Sequence, residues 1–176
     1  LYLYYNIVNN NTMNLDKFKN LPTPYILILC GPPLSGKTTF IKKYFPDTEV
    51  ISRDEILMEV YGSRNYSEAF KNVDQKKVDK TLRDRMTEYG KEGRNVLVDM
   101  TNLSPKTRKA NLAYFGKDYY KAAVAFPILP MEEYKRRNDY RNETENKYIP
   151  DNVLRSMISN YVVPTLDEGF DEIIVL

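Results

Sequence analysis

The chain has 176 residues, of which 42% are hydrophobic, which suffices for one domain with a sizeable core and leaves little room for a second. The formal net charge of +2 argues against binding of nucleic acid through bulk charge, so that only local clusters of basic residues can serve that purpose. The single cysteine, Cys30, excludes an internal disulfide and favours a reducing compartment, which we take to be the cytoplasm.

The first twelve residues, LYLYYNIVNNNT, have an apolar part that is too short to span a membrane, and they lack the basic flank of a signal peptide. We interpret residues 1–12 as a non-native or disordered lead and residues 13–176, which begin at Met13, as the folded domain. No association with a membrane is expected.

From Tyr25 onward, short apolar runs alternate with amphipathic runs, which is the pattern of βαβ units around a parallel sheet. The first run, YILILC, is apolar throughout and predicts a central strand covered on both faces. Four further strands are predicted at TEVIS, NVLVD, KAAVAF and EIIVL, and helices at about 36–44, 53–60, 72–92, 104–115, 131–142 and 150–161. The expected fold class is therefore α/β, with about five parallel strands and helices on both faces.

The first predicted strand leads directly into GPPLSGKT at 31–38, which matches the phosphate-binding pattern G-x-x-x-x-G-K-[ST]. The glycines allow successive backbone N–H groups to point at phosphate oxygens, and the next helix directs its positive end at the same anion. Lys37 is expected to neutralise the β- and γ-phosphates of a nucleotide, and Thr38 to bind Mg²⁺. The predicted nucleotide-binding residues in this loop are Gly31, Pro32, Pro33, Leu34, Ser35, Gly36, Lys37, Thr38 and Thr39. The alternative is a tight strand-to-helix turn with an unrelated lysine.

A phosphate loop indicates a nucleotide but not a reaction. The sequence contains no D-x-x-G after a strand and no N-K-x-D for guanine, which disfavours a GTPase and leaves an ATPase or a kinase.

Charged residues follow the second predicted strand at once, in the run VISRDE at 50–55. Residues just beyond the carboxyl ends of parallel strands line the ligand crevice, so Asp54 is expected to face the phosphate loop. A carboxylate there can accept the proton of an attacking hydroxyl, and Arg53 can hold a phosphate of the acceptor. Alternatively, Asp54 only caps the next helix.

A second acidic residue, Asp99, ends the predicted strand NVLVD, and the chain then passes through Thr101 and Asn102 into a helix. An acid at the end of a neighbouring strand is placed to reach Mg²⁺ or its waters, so that Thr38 and Asp99 are the predicted metal ligands. Alternatively, Asp99 is a cap or turn residue.

The predicted helix at 131–142 is rich in basic residues. Arg137 and Arg141 are four residues apart and share a face, so a lid formed by this helix can bring both to the phosphates of ATP. Other basic residues are expected at the surface or on the acceptor strand; they are Lys106, Arg108, Lys109, Lys135 and Arg136. The alternative is a solvated helix face.

The segments GPPLSGKT, SRDE, VDMTNLSP, KRRNDYRN and IPDNVLRSM, in this order, resemble the kinase domain of phage-type 5′-polynucleotide kinases over about residues 26–161. The resemblance implies a P-loop kinase fold with a helical lid, ATP and Mg²⁺ as cofactors, and the 5′-hydroxyl ends of DNA or RNA as acceptors. It also implies that Asp54 is the general base and that Arg141 of the lid reaches the transferring phosphate. The predicted catalytic set is Lys37, Arg53, Asp54 and Arg141, and the predicted acceptor-binding set is Arg53, Asp54, Asp99, Thr101 and Asn102.

Two departures from the phage pattern stand out. Phage-type enzymes carry an arginine one turn after the base, where this chain has Leu57, and their acidic residue directly precedes T-N, whereas Met100 intervenes here. The phage enzymes also continue into a 3′-phosphatase domain, which is not expected in a chain that stops after EIIVL. A phage-encoded protein of this kind would act in the cytoplasm of its host.

The leading prediction from the sequence is thus an ATP-dependent kinase acting on the 5′-hydroxyl end of DNA or RNA. Two alternatives stay open. One is a related kinase with a small-molecule hydroxyl acceptor, since the same loop and base serve both reactions. The other is a non-catalytic nucleotide-binding module.

Overall fold

The computed structural model describes residue 18 and residues 20–176, so the predicted lead at 1–12 lies outside the described residues. All five predicted strands form: β1 (Tyr25–Cys30), β2 (Glu49–Ser52), β3 (Val96–Asp99), β4 (Tyr120–Ala125) and β5 (Glu172–Val175). They pair in parallel in the order β2-β3-β1-β4-β5. The predicted α/β fold with a five-stranded parallel sheet is confirmed.

Seven α-helices lie between the strands of the described chain: α1 (Lys37–Tyr44), α2 (Arg53–Tyr61), α3 (Tyr66–Asn72), α4 (Gln75–Glu92), α5 (Pro105–Leu112), α6 (Met131–Glu145) and α7 (Asp151–Ser159). The sequence predicts all of them except α3. The helix predicted from residue 72 begins only at Gln75, because the side chain of Asp74 caps it by accepting hydrogen bonds from the N–H groups of Lys76 and Lys77. None of the helices at 20–176 is both long enough and apolar enough to cross a bilayer.

Both faces of the sheet are covered, and the alternation of side chains along β1 shows this directly. Ile26 and Ile28 belong to a core with residues of α2, α4 and α5, whereas Leu27 and Leu29 pack on the opposite face, in a core with Phe40 of α1. Every residue of β1 is buried because the strand is central and has helices on both sides. The carboxyl end of β1 therefore lies in the middle of the side of the sheet at which all five parallel strands end.

Arg108, on α5, is completely buried, which contradicts the expectation of a surface or acceptor contact for this residue. Its guanidinium donates hydrogen bonds of 2.6 Å to both carboxylate oxygens of Glu168, in the 3₁₀ turn Leu166–Glu168. It also donates to the carbonyl oxygens of Asn102 and Val162, each at 2.9 Å. Arg108 therefore joins three segments beneath the carboxyl edge of the sheet.

Candidate active site

The turn between β1 and α1 adopts a conformation that its two glycines make possible. Gly36 precedes α1 with φ 103° and ψ 11°, in the left-handed region. A Cβ at Gly31 would lie 2.8 Å from Cβ of Phe126, so no larger residue fits there. The N–H group of Gly31 donates to the carbonyl oxygen of Thr101 at 2.9 Å. The phosphate loop is therefore held in place by the segment that follows β3.

Lys37 lies buried beneath this loop. Its ammonium donates to the carbonyl oxygens of Gly31 (2.9 Å) and Pro32 (2.6 Å) and to Oγ of Ser35 (3.3 Å). Burial lowers the pKa of Lys37 to about 8, and the negative charge of Asp99 opposes this shift. The ammonium is thus held by loop oxygens that phosphate oxygens can replace. The next two residues, Thr38 and Thr39, are exposed and accessible to a ligand.

Asp54 lies in the first turn of α2, immediately beyond β2, as the sequence predicts. Ser52, not Asp54, caps this helix, since its side chain accepts a hydrogen bond from the N–H group of Glu55. The Asp54 side chain is 46% exposed. Its charge is one of those that oppose the lowering of the Lys37 pKa by burial, which places Asp54 near the phosphate loop. The geometry thus gives Asp54 no capping role.

Two residues that the sequence analysis did not select hold the Asp54 carboxylate. Tyr66, at the start of α3, donates to Oδ1 at 3.3 Å, and the ammonium of Lys147 lies 2.5 Å from Oδ2. The same ammonium is 3.7 Å from the centre of the Tyr66 ring. Burial, together with the charge and hydrogen bond of Asp54, raises the pKa of Tyr66 to about 12, so its hydroxyl remains a donor at neutral pH.

Asp99 ends β3, on the same edge of the sheet. Burial raises its pKa; the charge of Lys37 acts in the opposite direction, and those of Asp54 and Glu55 add to the rise. Asp99 therefore shares one electrostatic environment with the phosphate-loop lysine and with Asp54. The negative charges here would favour a cation between Asp99 and the phosphates of a nucleotide.

Asn102 has a different place from the one expected for an acceptor-binding side chain. It is buried, with φ 47°, and its amide donates to the carbonyl oxygen of Leu29 at 2.8 Å while its oxygen accepts from Asn111 at 2.9 Å. These bonds tie the segment after β3 to the end of β1. Because its side chain is buried and hydrogen-bonded, Asn102 is not part of the proposed acceptor site, whereas Thr101 is partly exposed there.

The helix α6, which we call the lid helix, contacts the phosphate loop. Arg137 donates through one guanidinium N–H to the carbonyl oxygen of Leu34 at 2.9 Å and through Nε to Glu133 at 2.6 Å. Arg141 lies one turn further along, and its positive charge adds to burial in lowering the pKa of Lys37. Both predicted lid arginines therefore lie at the phosphate loop.

The Nε of Arg141 is the buried side-chain nitrogen or oxygen that lacks a hydrogen-bond partner in the described part of the chain. The nearest acid, Glu145, is 3.9 Å away. A buried donor without an acceptor is unfavourable by about 1–3 kcal/mol. An anionic ligand at the phosphate loop would relieve this cost, so the site fits the phosphates of ATP.

Arg53 is bound to side chains of α4. It donates to Gln75 at 2.8 Å and to Asp79 at 2.9 Å, and its side chain is 32% exposed. To reach the phosphate of an acceptor, Arg53 would have to leave both partners.

The described residues contain no cluster of three or more His, Cys, Asp or Glu side chains that could hold a metal ion by itself. Mg²⁺ at nucleotide sites is usually held by one or two protein oxygens together with phosphate oxygens. The exposed hydroxyl of Thr38 and the carboxylate of Asp99 fit that pattern, and they stay the predicted ligands.

A parallel sheet of order 2-3-1-4-5, a phosphate loop after its central strand and a lid helix over that loop define a P-loop kinase domain. Residues 26–164 match the family AAA_33, described as an AAA domain, and the chain belongs to this family.

One relative is heterogeneous nuclear ribonucleoprotein U-like protein 2 of Mus musculus, which is 22% identical over 165 residues, covering 84% of this chain and 21% of that protein. This chain therefore spans about a fifth of the length of that relative. A chain in the structure of the Pnkp1/Rnl/Hen1 RNA repair complex is similar with a TM-score of 0.62 and 25% identity, over 80% of this chain and 45% of that one. Kti12 of Chaetomium thermophilum, in complex with ADP-AlF3, has a TM-score of 0.60 and 15% identity, over 86% of this chain and 88% of that one.

Proposed function

We propose that this protein is an ATP- and Mg²⁺-dependent kinase that transfers the γ-phosphoryl group of ATP to the 5′-hydroxyl end of DNA or RNA. The observation that carries the proposal is the position of Asp54, a half-exposed carboxylate beyond β2 that lies near both the phosphate-loop lysine and the lid. Residues 13–176 form the proposed kinase domain. The cytoplasm is the proposed site of action, since a free, buried Cys30 is compatible with a reducing compartment.

In the proposed step, the 5′-hydroxyl oxygen attacks the γ-phosphorus and its proton passes to the Asp54 carboxylate. The bond from the γ-phosphorus to the oxygen that bridges it to the β-phosphate breaks, and ADP leaves with that electron pair. Lys37 and Arg141 place positive charge where negative charge develops on the phosphate oxygens. Mg²⁺, held by Thr38 and Asp99, would supply further charge neutralisation when bound.

The choice of a polynucleotide acceptor is supported by exposed positive charge and by two names among the similar proteins. Lys106, Lys109 and Lys135 are exposed and available to backbone phosphates, and so is Arg136 once it leaves Glu133, to which it donates two hydrogen bonds. One similar chain belongs to a complex described as an RNA repair complex, and one relative is named a ribonucleoprotein.

The test is transfer of label from γ-labelled ATP to DNA and RNA oligonucleotides that carry a 5′-hydroxyl, with the same oligonucleotides carrying a 5′-phosphate as blocked controls. We expect label only on the 5′-hydroxyl strands. Asp54→Asn should lower turnover by about a hundredfold or more while ATP affinity stays nearly constant, because a general base acts in the chemical step. Asp139→Asn, at an exposed position of the lid helix, is the matched control.

Three results would contradict the proposal in different ways. Absence of label on every 5′-hydroxyl end would refute the polynucleotide acceptor. Labelling of free nucleosides or sugars without labelling of oligonucleotides would identify a small-molecule kinase. Tight ATP binding with no acceptor-dependent turnover would identify a nucleotide-binding module.

A further inference from the structure

Both carboxylate oxygens of Asp54, the proposed base, already accept hydrogen bonds. Tyr66 donates to one and the ammonium of Lys147 to the other. A hydroxyl that is to pass its proton to Asp54 must share these oxygens with the ammonium, which lies 2.5 Å from one of them. The 5′-hydroxyl therefore reaches the carboxylate more readily when Lys147 has moved to another anion.

Lys147 is held in this place by the end of the lid helix. Asn146 closes α6 with φ 50°, and its carbonyl oxygen accepts a hydrogen bond of 2.6 Å from Ser67 of α3. The Lys147 side chain is only 15% exposed, and its ammonium lies against the Tyr66 ring. The ring can keep the ammonium near Asp54 through a cation–π contact, whichever anion the ammonium pairs with.

Among the described residues, Lys147 is the basic side chain that pairs with this carboxylate, whereas Arg141, whose charge also reaches Tyr66, is assigned to the phosphates of ATP. Leu57, one turn after Asp54 on α2, is completely buried in the core. Arg53 is bound to Gln75 and Asp79. Among the basic residues described on these elements, Lys147 is the one that contacts Asp54 directly.

Resting on the proposed function, we infer that Lys147 determines the specificity for acceptors that carry a negative charge next to the reacting hydroxyl. The first backbone phosphate of the strand draws the ammonium from Asp54, and the freed carboxylate then takes the hydroxyl proton. An acceptor without that charge competes poorly, since hydrogen bonds between charged groups are about twice as strong as neutral ones. With such an acceptor, the ion pair between Lys147 and Asp54 stays in place, and the carboxylate stays occupied.

The experiment uses three 5′-hydroxyl oligonucleotides of one sequence: the natural strand, a strand with an uncharged methylphosphonate at the first linkage, and a strand with it at the third linkage. For the unmodified protein, kcat/KM should be about tenfold or more lower for the first-linkage substitution, which removes a charge-assisted contact. The third-linkage substitution should have a much smaller effect. Lys147→Gln should bring the natural and first-linkage strands to within about threefold of each other, whereas Lys147→Arg should keep the preference.

Lys91→Gln, at an exposed lysine of α4 that has no role in the proposed site, is the matched control and should keep the preference for a charged first linkage. A folding check by circular dichroism accompanies each variant. Equal labelling of all three strands by the unmodified protein would overturn the inference, as would a Lys147→Gln variant that keeps the full preference. Failure to label the natural strand would instead refute the proposed function, and the inference would fall with it.

Discussion

The buried ion pair between Arg108 and Glu168 allows a quantitative prediction. The two side chains are 0% and 2% exposed, and both bonds between them are 2.6 Å long. Removing one partner of such a pair leaves a buried charge uncompensated, which usually costs about 3–5 kcal/mol. Glu168→Gln keeps one oxygen that can accept from Arg108, so we expect a loss near the lower end, about 3 kcal/mol.

The measurement is urea unfolding followed by circular dichroism. With a slope of about 1–3 kcal/mol per molar urea, a loss of about 3 kcal/mol lowers the midpoint by about 1–3 M. The matched control is Asp84→Asn, which removes the i,i+4 pair with Lys80, whose side chains are 63% and 70% exposed. Exposed pairs of this kind contribute about 0.3–0.5 kcal/mol, so the midpoint should hardly change. A loss below about 1 kcal/mol for Glu168→Gln would refute the reasoning.

The effect of Glu168→Gln on the free energy of unfolding should depend on pH, and the sign of this dependence follows from the pKa of Glu168. Burial alone would raise the pKa of Glu168, but hydrogen bonds from Arg108 and Thr165, together with the charge of Arg108, outweigh burial and lower the pKa below its ordinary value of 4.5. A lowered pKa in the folded state adds stability that is complete above the unfolded value and is lost as the pH falls through the folded value. The difference in unfolding free energy between the unmodified protein and Glu168→Gln should therefore shrink below pH 4.5. A constant difference down to about pH 3 would exclude the charge as its origin.

Three further predictions concern the site. ATP affinity should fall as the pH rises past about 8, because burial lowers the pKa of Lys37 to about that value; constant affinity of a fluorescent ATP analogue from about pH 7 to pH 9 would contradict this. Arg141→Ala should lower kcat by about a hundredfold in the labelling assay, with Lys91→Ala, at an exposed position of α4, as the control, and an unchanged kcat would remove Arg141 from the catalytic set. The acceptor KM should rise with salt with a log–log slope of about 0.7 per phosphate contact, for about two to four contacts, whereas ATP binding should change less. A flat acceptor KM with activity retained would favour a small-molecule acceptor.

The features that the sequence predicts well are those with local signals. The all-apolar run of β1 and the glycines and lysine of the phosphate loop follow each other within fourteen residues, from Tyr25 to Thr38, and each is a strong pattern by itself. The helix α3 was missed because its seven residues are too few for a clear periodicity. A cap signal does exist there, since the side chain of Asn65 accepts from the N–H group of Glu68, three residues later.

The parts of the site that escaped prediction depend on distant partners. Lys147 is 93 residues from Asp54 along the chain, and their contact follows from how the lid helix docks on α3. The sequence around Arg108 predicts a surface residue, because no neighbouring residue indicates that Glu168, 60 residues later, will pair with it in the interior. Asp54 itself was predictable, since topology alone brings residues beyond parallel strands to one edge of the sheet.

The lid helix is attached on both sides of the crevice. The helix follows β4, and Arg137 fixes it to the phosphate loop after β1. Lys147, just past the end of the helix, reaches Asp54 beyond β2, which is an edge strand on the other side of β1 from β4. Its 15 residues extend about 22 Å, at a rise of 1.5 Å per residue. The lid helix therefore lies between the phosphate loop, where ATP is proposed to bind, and Asp54, where the acceptor is proposed to react. We expect the nucleotide and the strand to reach the site from opposite sides of this helix, so that ADP can leave while the phosphorylated end is still bound, and the order of product release need not be compulsory.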